Sequence, residues 1–235
     1  MSIKGLQNNI NASANNKIMK DIDRNKCNID ALLLDFGGVL AEEGFRNGLR
    51  AIAEKNNLDA DSFEKTGFEV VHKSGFVLGQ TDEDSFWHAL KLKTGILGDN
   101  NELKHEILIR FRLRSWMVSL LPSLKDMGLI LGILSDQTHW LDELNKQDDF
   151  YKWFDHIFNS YYLGKSKRDP TLFEDIVLKL NIPAENILFV DDHPGNVERA
   201  KEKGYQICLY TDRRGFIEVL GQFCPGIHEM MIQKL

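Results

Sequence analysis

Polar side chains with catalytic potential stand directly after three short apolar runs of the chain. Asp35 follows the first run, Ser135 follows the second, and the adjacent pair Asp191 and Asp192 follows the third. Ligands of open parallel sheets bind beyond the carboxyl ends of the strands, so these side chains should converge if their strands are neighbours. A single Asp or Ser after a strand is more often a turn residue or helix cap. The prediction therefore depends on their coming together.

Charge repulsion says what such a cluster would need. Asp35, Asp191 and Asp192 in one crevice would repel one another, and the pKa of at least one carboxyl group would rise unless a cation were bound. Carboxylate, carbonyl and water oxygens are the ligands that Mg²⁺ favours. A nearby lysine would complete a site for a phosphate dianion, and the segment 164–170 supplies the cations Lys165, Lys167 and Arg168. The sequence therefore predicts a magnesium site at which Asp35 handles a phosphoryl group.

Apolar runs and the stretches between them predict the elements that carry these residues. Four runs have the composition of buried parallel strands, at 29–34, 128–134, 186–190 and 205–210. Helix-like stretches lie between them, at 122–127, 170–180 and 196–203. Strands that alternate with helices predict right-handed crossovers and a mostly parallel sheet. We expect an α/β fold with a Rossmann-like sheet.

The stretch between the first and second strands has a different pattern. From about residue 42 to residue 119 it contains helical periodicity, as at 48–56 and 83–93, and no convincing buried strand. We predict a core domain formed by residues 30–41 and 120–215, with residues 42–119 as an inserted helical domain. Residues 1–29 are predicted to be a leader that is partly disordered, and residues 216–235 a C-terminal helix and tail.

Composition excludes several other classes of protein. The 235-residue chain has a formal net charge of −6, so we expect no nucleic-acid binding. No apolar run approaches the roughly 20 residues that cross a bilayer, so no membrane association is expected. The cysteines Cys27, Cys208 and Cys224 are too few and too scattered for a disulfide framework or a zinc site. We predict a cytoplasmic monomer or homodimer.

Four segments, in this order, resemble the motifs of the haloacid dehalogenase-like (HAD) hydrolases. The segment 32–40, Leu-Leu-Leu-Asp-Phe-Gly-Gly-Val-Leu, looks like the first motif, and Leu-Ser-Asp at 134–136 looks like the second. The segment 164–170 is similar to the third motif, and 187–196 to the fourth. The insertion after the first motif matches the helical (type 1) cap found in this family. Four motifs in the expected order are far more specific than any one of them.

The resemblance implies a role for each matching residue. Asp35 would be the nucleophile that forms an aspartyl-phosphate, and Ser135 and Lys167 would bind the transferring phosphoryl group. The phosphate position would also be bordered by Gly38 and Asp136. Mg²⁺ would be bound by the carboxylates of Asp35 and Asp192 and by the main-chain carbonyl of Gly37. Asp191 would be a further ligand of the ion or an acid that supports the ligands. The expected partner is a small-molecule phosphate ester.

The chain departs from the family pattern at Gly37. Phosphatases of this family usually have a second Asp there, which acts as general acid and base, a contribution typically of about 10²–10⁴ in rate. Some sugar-1-phosphate phosphatases of the family resemble this chain in having Gly at that position. Four other residues are open as substitute donors: Glu42, Glu43, His139 and His193.

These observations predict a Mg²⁺-dependent phosphatase that acts on a small metabolite such as a sugar phosphate and prefers good leaving groups. One alternative is a weakly active or non-catalytic regulator that binds a phosphate ligand. Another is a 2-haloacid dehalogenase, whose chemistry needs no Mg²⁺ and would leave the Asp191–Asp192 pair without a purpose. Four residues of the insertion are conceivable substrate contacts: Arg46, His72, Lys73 and Trp87.

Overall fold

A parallel sheet of five strands organises residues 27–227, the part of the chain that the computed structural model describes. The strands are β1 (Ala31–Leu34), β2 (Ile130–Ser135), β3 (His156–Asn159), β4 (Ile187–Asp191) and β5 (Gln206–Leu209). Their order across the sheet is β3-β2-β1-β4-β5. The strand β1 therefore lies between β2 and β4, the two strands that end in Ser135 and Asp191.

Helices follow the strands in the alternation that the sequence predicts. Those of the core are α5 (Ser115–Val118), α6 (Leu121–Asp126), α7 (Trp140–Asp148), α8 (Ser160–Leu163), α9 (Leu172–Leu180), α10 (Pro194–Glu202) and α11 (Arg213–Phe223). Between β1 and β2 lie α1 (Gly44–Lys55), α2 (Ala60–Lys73), α3 (Glu83–Thr94) and α4 (Asn100–Leu108). We call the segment 44–108 the helical insertion.

Strand register brings the carboxyl ends of the three central strands to one edge of the sheet. Leu34, the last residue of β1, is paired with Ile133 on one side and with Val190 on the other. One or two residues further along these strands stand Asp35, Ser135 and Asp191. Neighbouring strands lie about 4.8 Å apart, so side chains at this level are within contact distance of one another.

Apolar packing on both faces fixes the sheet. Leu32 and Leu34 point into a large cluster that continues into the helical insertion, while Ala31 and Leu33 point to the other face and pack in a cluster with Phe173 of α9. All four residues of β1 are at most 1% exposed. A strand that is covered on both faces has the continuous apolar sequence seen here.

Aromatic side chains join the helical insertion to the core. Trp140 of α7 stacks on Trp87 of α3 with ring centroids 6.0 Å apart and meets Phe76 edge-on at 5.5 Å. The Trp140 indole also donates a hydrogen bond to Glu83 of the insertion, at 2.8 Å. Rings of this size bury 150–250 Å² each, so this contact contributes substantially to holding the insertion against the sheet.

The predicted fold class is confirmed: the chain forms a Rossmann-like parallel sheet interrupted by a helical segment after β1. The domain boundaries proposed from the sequence remain predictions. Most of the predicted leader and the last eight residues of the predicted tail lie outside residues 27–227. Within those described residues, no helix is long and apolar enough to cross a membrane.

The expectation about the cysteines is wrong for one pair. Cys27 and Cys224 form a disulfide with their Cα atoms 4.2 Å apart, although 197 residues separate them in sequence. Cys208 is free and buried, as its apolar surroundings in the sequence predict. The disulfide fastens the segment before β1 to the end of α11, where Asn28 also donates its N–H to the carbonyl of Phe223 at 2.7 Å.

Candidate active site

Asp35 stands at the end of β1 with its carboxylate held in a fixed position. The residue is 8% exposed. Its Oδ1 accepts a hydrogen bond from the Ser135 hydroxyl at 2.6 Å and another from the Phe36 N–H at 2.7 Å. Because Ser135 ends the neighbouring strand β2, the sheet itself places these two side chains together.

Lys167 lies between two carboxylates and is 1% exposed. Its Nζ is 2.8 Å from Asp35 Oδ2 and 2.6 Å from Asp191 Oδ2. The main chain of Lys167 is fixed as well, because its N–H donates to Asp136 Oδ1 at 2.8 Å and its carbonyl accepts from Arg199 Nε at 2.7 Å. A lysine is seldom this deeply buried unless it is paired.

Asp191 is fully buried and has several hydrogen-bond donors around it. Its oxygens accept from Lys167 Nζ, from the His193 N–H at 2.8 Å, and from Asn196 Nδ2 at 3.0 and 3.1 Å. Asn196 is on α10, which begins just after this turn. These contacts make Asp191 the residue that fixes Lys167 beside Asp35.

Asp192 completes the acidic cluster from the turn after β4. Its carboxylate packs against Gly38, which has a φ of 82°. A Cβ on residue 38 would lie 2.2 Å from Asp192 Oδ2, so both the backbone conformation and the close contact require glycine. One oxygen each of Asp35, Asp191 and Asp192 lie within 4.8 Å of one another.

Burial and mutual repulsion govern the electrostatics of this cluster. Burial raises the pKa of Asp35, and the Lys167 ammonium opposes that rise. Burial and then the charge of Asp191 raise the pKa of Asp192. Burial lowers the pKa of Lys167, but the carboxylates of Asp191 and Asp35 outweigh that effect and hold the pKa above its usual value.

Charge and donor chemistry fit a divalent cation at this cluster. Three carboxylates face one ammonium group, which leaves an excess of about two negative charges when all are ionised. The oxygen ligands present are those that Mg²⁺ takes in proteins. Asp191 is fully buried and accepts four hydrogen bonds within the protein, whereas Asp35 and Asp192 line the cleft, so these two carboxylates are better placed to face an ion.

A cleft of about 350 Å³ opens over Asp35, between the sheet edge and the helical insertion. Its lining includes the polar or charged residues Arg46, His72, Gln137, Thr138 and Arg168. It also includes an apolar group made of Phe45, Phe68, Val71, Val77 and Trp140. Gly37 and Asp136 line the cleft. Gly38 instead contacts the Asp192 carboxylate, so a contact between Gly38 and substrate stays a prediction.

The insertion residues predicted as substrate contacts divide into two groups. Arg46 and His72 line the cleft. Lys73 is exposed and paired with Glu69 at 2.8 Å, and Trp87 is fully buried in the aromatic contact with the core. Lys73 and Trp87 therefore stand away from the cleft walls.

A second group of charges lies outside the cleft. Glu83, His139 and Glu143 each offer a ligand atom within 4.8 Å of the others. Lys104 pairs with both acids of this group, with Nζ 3.3 Å from Glu83 and 3.2 Å from Glu143. This group of charges joins the insertion to the core. Because His139 belongs to it and does not line the cleft, His139 is not placed to donate a proton beside Gly37.

Several residues of the site were not assigned from the sequence. Asn196 and Arg199 hold Asp191 and Lys167 from α10, and Phe111 packs beneath the turn that follows β1. Asn196 and Arg199 are three residues apart on one helix, a spacing that puts both on one face. No sequence pattern indicates the position of Phe111, because it contacts the turn at Gly37, which is far from it in sequence.

Comparison with known proteins agrees with this geometry. The model of the haloacid dehalogenase-like hydrolases matches residues 29–204, so the chain belongs to that family of hydrolases. It is 24% identical over 196 residues to D-ribitol-5-phosphate phosphatase of Bacteroides thetaiotaomicron, covering 76% of this chain and 90% of the relative. It is 29% identical over 150 residues to the sesquiterpene phosphatase astK of Aspergillus oryzae, covering 58% and 71%.

Other similarities are shorter or concern the fold alone. The matched segment spans 12% of drimenol cyclase drtB of Aspergillus calidoustus, at 36% identity over 67 residues and 28% of this chain. It spans 46% of (S)-2-haloacid dehalogenase 2 of a Pseudomonas, at 26% identity over 44% of this chain. A HAD family enzyme of Bacteroides thetaiotaomicron, solved with magnesium and inorganic phosphate, superimposes with a TM-score of 0.61 at 18% identity, over 79% of this chain and 94% of that one.

Replacement of Lys167 by Met tests whether the lysine neutralises the buried carboxylates. Breaking a buried ion pair from one side typically costs about 3–5 kcal/mol in the free energy of unfolding. In the variant without metal, the pKa values of the unpaired carboxyl groups in the folded protein should exceed those in the unfolded chain. The loss in the free energy of unfolding should therefore be smaller at about pH 5, where protonation of these carboxyl groups relieves their repulsion, than at about pH 8. Denaturant unfolding at the two pH values measures both effects.

The matched control is Lys165→Met, two residues away. Lys165 lies at the surface, paired with Asp175, and exposed pairs contribute little. A loss in Lys167→Met that is as small as in Lys165→Met, or that grows as the pH falls, would contradict the assigned role.

Proposed function

We propose that the chain is a Mg²⁺-dependent phosphatase that hydrolyses small phosphate monoesters through an aspartyl-phosphate on Asp35. The observation that carries the proposal is the meeting of Asp35, Asp191 and Asp192 around Lys167 and Ser135 at one sheet edge. Phosphatases among the relatives support the same reaction class.

Asp35 is placed to act as the nucleophile. Ser135 and the Phe36 N–H bind one of its oxygens, which orients the carboxylate toward the cleft. Attack by a carboxylate oxygen on phosphorus breaks the bond to the leaving oxygen, and water then hydrolyses the acyl phosphate. Fixed orientation lowers the barrier because the nucleophile and the phosphate need no further alignment.

Lys167 and Ser135 are suited to bind the phosphoryl group in transit. Lys167 offers positive charge in a site from which water is largely excluded, where charge interactions are stronger than in water. Asp136 keeps this lysine in place by accepting a hydrogen bond from its main-chain N–H, and Asp191 does so by accepting one from its ammonium group. We assign these two acids mainly a positioning role, with Asp191 also facing the metal.

Asp35, Asp192 and the Gly37 carbonyl are the groups that would hold Mg²⁺. When bound, the ion offsets the negative charge that the phosphoryl group brings to the carboxylates. Burial and the charge of Asp191 raise the pKa of Asp192, and a bound cation would oppose both effects.

The helical insertion is proposed to act as the cap that selects the substrate. The cleft volume of about 350 Å³ suits a small metabolite, and the polar lining offers partners to the hydroxyl groups of a sugar phosphate. A second candidate substrate is an isoprenoid phosphate. The apolar group Phe45, Phe68, Val71, Val77 and Trp140 favours it, as does the similarity to a sesquiterpene phosphatase.

A screen of phosphate esters with Asp35→Asn as the inactive variant tests the reaction. Sugar phosphates, isoprenyl phosphates and p-nitrophenyl phosphate should release phosphate only when Mg²⁺ is present. Loss of the nucleophile should reduce kcat by about 10³-fold or more. Asp30→Asn, at an exposed acid just before the start of β1, is the matched control and should keep full activity.

Two outcomes of that screen would overturn the proposal. Halide release from a 2-haloacid that continues in the presence of chelator would indicate a dehalogenase. Tight binding of phosphate esters without turnover would indicate a regulator that retains the site.

Metal binding has a test that needs no turnover. Mg²⁺ at about 100 times its Kd should stabilise the folded protein by about 2.7 kcal/mol, which thermal unfolding detects. Asp192→Asn should abolish most of this stabilisation, because it removes a charged ligand, whereas Asp30→Asn should retain it. Equal stabilisation of the wild-type protein and Asp192→Asn would mean that Mg²⁺ binds elsewhere.

A further inference from the structure

Glu43 is a carboxyl group of the cleft that the assigned roles leave unused. It stands before helix α1, where its Oε1 accepts a hydrogen bond from the Arg46 N–H at 3.2 Å. Its other oxygen, Oε2, lies 3.9 Å from the position that a Cβ on residue 37 would take. The second carboxylate oxygen therefore lies beside the residue two positions after Asp35.

Packing around Phe111 explains why this carboxylate comes from residue 43. A Cβ on residue 37 would be 3.2 Å from Phe111 Cε1, and a Cβ on residue 44 would be 2.3 Å from the same ring. Glycine at both positions lets the ring pack between them, under the turn that carries Glu43. A side chain at residue 37 would press against this ring.

Hydrolysis of a phosphate ester, the reaction of the proposed function on which this inference rests, moves two protons. The leaving oxygen must gain one, and the attacking water must lose one. A donor must therefore line the cleft and have no other assigned task. Asp35 and Asp192 are engaged as nucleophile and metal ligand, and Asp136 holds the main chain of Lys167.

The histidines of the cleft are less suitable than Glu43. His193 is exposed, and its Nδ1 accepts the Gly195 N–H at 3.1 Å as part of the turn into α10. His72 lies on the insertion helix α2, where burial and then the charge of Arg168 lower its pKa, so the protonated form that could donate is disfavoured.

The remaining substitute donors suggested by the sequence lie outside the cleft lining. Glu42 is 2.8 Å from Arg114 in an ion pair, and its side chain is 50% exposed. His139 belongs to the group around Lys104. Among the carboxyl groups of residues 27–227, Glu43 thus satisfies both conditions.

We propose that Glu43 donates the proton to the leaving oxygen and later accepts one from the attacking water. In the first step an Asp35 oxygen bonds to phosphorus, the bond from phosphorus to the leaving oxygen breaks, and that oxygen takes the Glu43 proton. In the second step water bonds to phosphorus, one of its protons passes to Glu43, and the bond between phosphorus and Asp35 breaks. Phosphate leaves, and Glu43 is protonated as at the start.

Glu43→Gln tests this assignment, because the amide oxygen can still accept the Arg46 N–H that caps α1. With a primary alkyl phosphate, whose leaving oxygen needs a proton, kcat/KM should fall by about 10²-fold or more. With p-nitrophenyl phosphate, whose leaving group needs none, kcat/KM should stay within about threefold. Hydrolysis of the phosphoenzyme should slow with both substrates, so p-nitrophenol should appear in a burst near one equivalent per site.

The control is Glu42→Gln, at the neighbouring acid outside the cleft lining. This variant should leave kcat/KM unchanged with the alkyl phosphate and with p-nitrophenyl phosphate. Equal loss of kcat/KM on both substrates without a burst would show that Glu43 only supports the fold, and unchanged kinetics would show that it has no role. Either result overturns the assignment of Glu43 and leaves the phosphatase intact. Absence of turnover by the wild-type protein would overturn the proposed function and this assignment together.

Discussion

The ion pair of Lys167 with Asp35 and Asp191 is the interaction on which the rest of the site depends. Both Nζ–oxygen distances are below 3 Å, at 2.8 and 2.6 Å, in a place that water scarcely enters. A buried ion pair of this kind is costly to form, since its charges lose their hydration, and it requires further hydrogen bonds to remain stable. Helix α10 and the turn at Asp136 supply those bonds. Since such a pair adds little net stability, we attribute its presence to the proposed reaction.

The strand order determines that these charges meet. Because β1 lies between β2 and β4, their carboxyl ends place Asp35 beside both Ser135 and Asp191. The helical insertion then covers this edge and leaves a cleft instead of open solvent. Exclusion of water strengthens every charge interaction within the cleft, which is the condition under which fixed charges contribute most to phosphoryl transfer.

Local sequence patterns predicted the central strands of the sheet, because these strands depend on a short run of apolar residues. The strands β1, β2, β4 and β5 were expected from apolar runs and formed within one or two residues of the predicted limits. The strand β3 was not predicted, because His156–Asn159 is a short edge strand whose first two residues are only partly buried. Its sequence lacks the continuous apolar run of a central strand.

Contacts between distant segments could not be predicted. The pairing of Cys27 with Cys224 joins the two ends of the described chain, and no spacing rule indicates it. The position of Glu43 depends on the Phe111 ring, which fills the space beside Gly37. Four substitute donors are possible from the sequence, and we propose Glu43 among them because it lines the cleft and has no other assigned role.

Chemical trapping of the phosphoenzyme measures the central claim most directly. Borohydride reduces an acyl phosphate on an aspartate to homoserine, which peptide mass spectrometry locates. With a phosphate ester and Mg²⁺ present, the account predicts homoserine at residue 35, and none when chelator replaces the metal. Turnover that continues without any modification of residue 35, or trapping at a different carboxylate, would contradict it.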